Sequence, residues 1–247
     1  MPRSSPVSRR AAPDVLVAGA DGCRAGWVVV LAGGGEVSIR VLPRFADVVD
    51  VSSAASVVGV DMPIGLLDRA VPGGRDCDRR ARRLLGPRGC CVFTPPVRAA
   101  LRARDYARAL LVNRRSSGAR LGISIECFGL FTKLREVDVA LRSRPNLARR
   151  VHEVHPELAF RAMARAVAGL PPKRTAIGRA ARLALLERRF RSVRGYATAP
   201  PRGAAADDVI DAFAVCWSAA RIAARRAVCL PTRPGHDARG LPMAIWY

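Results

Sequence analysis

Val57-Val58-Gly59-Val60 is an apolar run that ends on a carboxylate, Asp61, and is stopped at once by Met62-Pro63. Four apolar residues before a turn signal read as a strand covered on both faces. Pro63 cannot donate to a ladder and biases Met62 away from helix, so the strand ends there. Val15–Ala20 repeats the pattern, closing on Asp21-Gly22. An aspartate at the tip of a buried strand costs several kcal/mol, on the order of a buried unpaired charge, unless it has a partner. A chain with two such tips is constrained to an α/β layout with acids at one sheet edge, or to two capped turns.

The segments between them favour the first. "GWVVVLA" from Gly26 and "EVSIRVL" from Glu36 read as two more strands hinged by Gly33-Gly34-Gly35, which makes a meander. "RFADVVDVSSAA" reads as the connecting helix before Val57. A helical crossover makes the Val15 and Val57 strands parallel neighbours, with tips about 5 Å apart. Ligands of open α/β sheets bind outside the carboxyl ends of such strands. Two carboxylates there repel unless a cation or a shared proton intervenes. Taken singly, each aspartate is explained as well by turn capping.

From about residue 66 to 150 the chain is arginine-rich and reads as helical, broken at Pro72-Gly73-Gly74, Gly86-Pro87 and Pro95-Pro96. It is an insertion within a single domain spanning 14–247, and residues 1–13 form a basic tail expected to be disordered. "RRVHEV" returns to strand and Pro156 ends it. Alternation puts Glu153 and His155 on one face of that strand, with His152 and Val154 on the other. Helices are expected over Glu157–Val167, Arg174–Phe190 and Asp208 to about Arg226, and "MAIWY" as an edge strand.

The last helix carries "AAADDVIDAFAVCW". Asp207 as N-cap and Asp208 as a first-turn acid are ordinary. Asp211 is less so, because it follows on an otherwise apolar helix and shares a face with Asp208. Arginine or magnesium between the two would relieve their repulsion.

The net charge is +22, from 42 basic and 20 acidic residues, and Lys133 and Lys173 are the only lysines. Such a surface suits a polyanion, nucleic acid being the commonest. Seven cysteines, none spaced C-x-x-C, argue against a disulfide framework or zinc knuckle and for a reducing cytoplasm. No apolar run nears the roughly 18 residues of a membrane helix. Carboxylates without cysteine ligands suit Mg2+ or Mn2+.

Strand-strand-strand-helix-strand followed by a helix bearing D-x-x-D is the plan of the ribonuclease H-like fold, as in Holliday-junction resolvases. The stretches "GADGCRAGWVV", "VGVDMPIGL", "RDCDRRARRLLG", "VFTPPVR", "KLREVD", "EVHPELAF", "ADDVIDAFAVCWSA" and "GLPMAIWY" occur in order from Val15 to Tyr247. Together they resemble the predicted RNase H-like nuclease family catalogued as domain of unknown function 429. The resemblance implies a mixed sheet flanked by helices, and a nuclease-like site built from Asp21, Asp61, Glu153, Asp208 and Asp211. It also implies basic roles for Arg75, Arg82 and Lys173. In "GISIECFGL", Ile125-Glu126 departs from the family's basic residue and glutamine.

The expectation is a nuclease that hydrolyses phosphodiesters of DNA or RNA with Mg2+ or Mn2+. Asp21, Asp61 and Asp208 would hold the metal, and Arg75, Arg79, Arg82 and Lys173 the substrate. The alternative is a nucleic-acid-binding module that keeps the fold without catalysis. An actin-like kinase would need two such domains, and there is no P-loop.

Overall fold

The computed structural model describes residues 15–165 and 170–247. The expected tail at 1–13 lies outside them, as does Val167, the expected end of one helix. In chain order, β1 (Val17–Cys23), β2 (Gly26–Gly33) and β3 (Glu36–Leu42) form the meander, and α1 (Phe45–Val51) leads to β4 (Val57–Val60). The insertion carries α2 (Asp76–Leu85), α3 (Tyr106–Arg115), α4 (Ile125–Gly129), α5 (Phe131–Ser143) and α6 (Pro145–Ala148). Then follow β5 (Val151–Glu153), α7 (Pro156–Ala164), α8 (Ala176–Glu187), α9 (Val193–Thr198), α10 (Ala206–Ala223), β6 (Cys229–His236) and β7 (Pro242–Trp246).

The main sheet has five strands in the order β3-β2-β1-β4-β5. β1, β2 and β3 are antiparallel, while β4 runs parallel to β1 and to β5. This is a mixed α/β architecture. β1 outruns its expected end, because Asp21 to Cys23 stay paired with Val28 to Gly26 in the hairpin. Asp21 is therefore level with the end of β4 rather than at the end of its own strand.

Each face of the sheet has its own core. Ala18, Ala20, Val58, Val60 and Val151 face α1, α5 and the insertion. Val17, Val28, Val30 and Val57 face α10 and the helices α7 to α9. The insertion is thus one wall of the domain. Glu136 on α5 locks that wall by accepting from Trp27 Nε1 at 2.9 Å and from the Phe45 amide at 2.8 Å.

Two glycines set how closely α10 lies on the other face. A Cβ on Gly19 would come within 2.1 Å of the Cys216 nitrogen and 2.5 Å of the Ala212 oxygen. A Cβ on Gly59 would meet Val215 Cγ1 at 2.7 Å. Gly19 and Gly59 are register partners. Side chains at that level would lift the helix off the sheet, and a close-packed interior has no slack for it.

β6 was not anticipated. Pro231 and Pro234 interrupt it, and prolines are confined to edges and bulges because they lack a ladder donor. It pairs with β7 in a separate two-stranded sheet with a register shift between Leu230 and Gly235. The expected edge strand "MAIWY" is β7, joined to the main sheet through a parallel bridge from Trp246 to Val154. All seven cysteines are free thiols. Among the described residues no helix is long and apolar enough to cross a membrane.

Candidate active site

The register of β1 against β4 builds the site. Ala20 pairs with Val60, and the Asp61 amide donates to the Ala20 carbonyl at 3.0 Å, so Asp21 and Asp61 stand side by side. Alternation turns both toward the α10 face. The glycine-seated α10 then brings Asp211 over the same edge. All three acids line a cavity of about 300 Å3, which Lys173, His155 and the paired charges Arg75, Asp78, Glu153 and Glu157 also line.

The carboxylates are unequally satisfied. Asp21 Oδ1 accepts from the Gly22 amide at 2.8 Å. Asp211, 5% exposed, accepts from Lys173 Nζ at 2.6 Å. The Asp61 carboxylate accepts no hydrogen bond from any described residue. Burial, then the charge of Asp211, pushes Asp61 up to about 8, against the pull of Lys173. Burial and the charges of Asp61, Asp211 and Asp208 hold Asp21 well above the usual carboxylate range. Asp211 is raised as well by burial, with Lys173 opposing. Burial lowers Lys173, but Asp211 and then Asp21 and Asp61 outweigh it, leaving it raised. Asp21, Asp61 and Asp211 together carry more negative charge than the Lys173 ammonium balances, which favours their protonated forms.

Glu153 lines the same cavity as Asp21, Asp61 and Asp211, but it enters from the other side of the sheet edge and is already paired. It pairs with Val60, one position short of Asp61, and so shares the insertion-facing side with Ala20 and Val60. There both its oxygens are taken by Arg75, each at 2.7 Å, and Oε2 also accepts from the Ile64 amide at 2.7 Å. Burial raises it to about 7 in spite of Arg75. Asp208 departs from the expected arrangement. Its Oδ2 accepts from the Ala205 amide at 2.8 Å at the start of α10, and it does not line the cavity. The N-cap is Ala205, not Asp207, which instead pairs with Arg179 at 3.1 Å. Of the D-x-x-D pair, Asp211 faces the pocket and Asp208 steadies the helix.

The arginines expected to hold phosphates are occupied locally. Arg75 lines the cavity but is 2% exposed and lies between Asp78, at 2.5 Å, and Glu153. Arg79 donates to the Gly74 carbonyl. Arg82 donates to the carbonyls of Val92 at 2.8 Å and Gly73 at 2.5 Å, and to Thr94 Oγ1 at 2.8 Å. They hold the loops around α2 in place. Glu126 is exposed in the first turn of α4 and does not line the cavity. His155 reaches the Cys91 carbonyl through Nε2 at 3.3 Å, while its buried Nδ1 has no partner.

Carboxylate oxygens without thiolate partners suit a hard cation, and Mg2+ needs only one or two of them because it retains several waters. Asp21 and Asp61 meet that requirement. Among the described residues, no three His, Cys, Asp or Glu side chains are arranged to hold one ion. Asp211, which stands over Asp21 and Asp61, is bonded to Lys173.

Fold and site together define a mixed-sheet α/β protein with an acid pocket at the carboxyl edge of its parallel strands. The chain belongs to the DUF429 family, whose model, described as "Protein of unknown function (DUF429)", matches residues 19–236. No curated protein and no solved structure matches it.

Proposed function

We propose that the protein is a divalent-metal-dependent nuclease of the ribonuclease H-like class, acting on DNA or RNA. The observation that carries this reading is the level pairing of Asp21 with Asp61, one of them unpartnered, beneath Asp211 of α10. The strand order β3-β2-β1-β4-β5, with β2 antiparallel to β1 and β4 parallel to it, supports the fold assignment. The charge of +22 supports a polyanionic substrate.

Asp21 and Asp61 would hold the metal, which when bound supplies an activated water and charge neutralisation at the phosphodiester. The Lys173 ammonium fixes Asp211 and lowers the pocket's net negative charge, which would otherwise repel phosphate. The buried wall of Val154, Pro156 and Ile245 limits water around the acids.

The test is incubation of the full chain with single- and double-stranded DNA and RNA in Mg2+, Mn2+ or EDTA. Cleavage that needs metal and is lost in Asp61→Asn supports the reading. Cleavage that survives EDTA, or is unchanged in the variant, overturns it. The Lys173–Asp211 bond favours a second reading, a nucleic-acid-binding module whose acid site is closed by its own cation. Tight, salt-sensitive binding with no cleavage in any metal would select it.

A further inference from the structure

The chain contains 42 basic side chains and only two of them are lysines. Both stand at the acid edge of the sheet. Lys173 is there through its bond to Asp211. Lys133 arrives from the opposite side, on α5, whose buried stripe of Phe131, Leu134 and Val137 fixes its rotation. Its stem lies across Gly22, the residue after Asp21. A Cβ at Gly22 would come within 2.7 Å of Lys133 Cδ, 2.8 Å of Cε and 4.0 Å of Nζ. Gly22 lines the cavity, and Lys133 stands beside it, just outside the lining. The absent side chain is the channel that the lysine stem occupies.

The Lys133 ammonium makes no hydrogen bond or ion pair with any described residue. Its charge bears on Asp208 and Cys23, lowering both against the effect of their burial. The two ammonium groups therefore approach the sheet edge from its two faces, one engaged and one free. Arginine offers a planar fork suited to a fixed bidentate partner, whereas lysine is a compact point charge on a flexible stem that can follow a phosphate.

Resting on the nuclease reading above, we propose that Lys133 is a substrate-positioning residue whose ammonium takes a phosphodiester oxygen at the mouth of the acid pocket. Gly22 is kept side-chain-free to seat its stem.

Two lysines make the test direct. In protein labelled with 13C at lysine Cε, two signals are expected, assigned with Lys133→Arg. The probe is the dinucleotide TpT in metal-free buffer, with its uncharged methylphosphonate analogue as control. The expected result is a saturable shift of the Lys133 signal with TpT alone, while the Lys173 signal stays put. A shift of Lys173 only, of neither lysine, or of Lys133 equally with both dinucleotides overturns the proposal. This measurement needs no cleavage, so failure of the nuclease reading would show separately. In the cleavage assay, Lys133→Ala should raise KM about tenfold, the loss of one charge-assisted hydrogen bond, with a smaller change in kcat. Lys133→Arg, which keeps the charge on a bulkier planar head, should recover only part of that loss, and Gly22→Ala should mimic Lys133→Ala by displacing the stem. A fall in kcat with KM unchanged would also overturn the role.

Discussion

Glu153 and Asp61 differ by one step of register, and that step sends them to opposite faces of the sheet. Both line the acid cavity, but Glu153 is held by Arg75 whereas Asp61 has no partner. Glu153→Gln should destabilise the protein by about 1–3 kcal/mol, because a charged hydrogen-bonded pair becomes a neutral one in a buried setting. Arg75→Ala should cost more, about 3–5 kcal/mol, since it strands two buried acids. Denaturant melts of both variants check this order. Any metal-induced stabilisation should survive Glu153→Gln.

The same stabilisation should depend on Asp61. A metal that binds only the folded pocket adds roughly 2.7 kcal/mol at about 100 times its dissociation constant. Thermal melts across Mg2+ and Mn2+ series should show this gain in the wild type and lose most of it in Asp61→Asn. Equal responses in the two proteins would mean that Asp61 is not a ligand.

Without metal, the pocket should weaken the protein as pH rises. Asp61 has a folded value of about 8 against 3.8 for an ordinary aspartate, so the folded state holds the proton more tightly. Between those values the folded state binds more protons than the unfolded state, and stability falls with rising pH. Asp21 and Asp211 act in the same direction. In EDTA, the denaturant midpoint of the wild type should therefore decline more steeply from about pH 4 to 8 than that of Asp61→Asn. Parallel profiles would place a charged Asp61 in the folded protein.

Gly19→Ala should be far more damaging than Gly59→Ala. The first sets a methyl against the α10 backbone, the second against the end of the Val215 side chain. Overpacking of this kind costs about 1–3 kcal/mol and more where backbone must move. Melting temperatures of the pair decide it.

Asp208 and Asp211 should separate by assay. Asp208→Ala should lose about 1 kcal/mol of stability with the helix-start hydrogen bond, and Asp208→Asn less. Neither should abolish metal-dependent activity. Asp211→Asn leaves the Lys173 ammonium without its carboxylate, and should impair cleavage while leaving α10 intact by circular dichroism.

The meander, the crossover and the long late helix were legible because hydrophobic period and turn residues act locally. The pairing of Asp21 with Asp61 was legible for the same reason, since a helical connection makes the strands parallel. What escaped was set by register and by competition among partners. Whether Glu153 meets Asp61 or Arg75 across their common cavity depends on a single-residue offset between β4 and β5 that no local pattern encodes. Whether Arg75 meets a phosphate or Asp78 depends on burial, and the loop prolines of β6 disguised a strand. Lys133 left one trace, its rarity among forty arginines, and only its place across Gly22 gives that rarity a meaning.

Asp21, Asp61 and Asp211 meet at one pocket although about three-quarters of the chain lies between the first and the last. During synthesis the sheet can pair long before α10 exists, leaving Val17, Val28, Val30 and Val57 bare to solvent and the two aspartates without their cover. A nascent chain halted before Asp211 has a sticky surface and no pocket. Exposed apolar surface of that kind is what makes incomplete chains prone to aggregate, and the acid site is complete only when α10 docks.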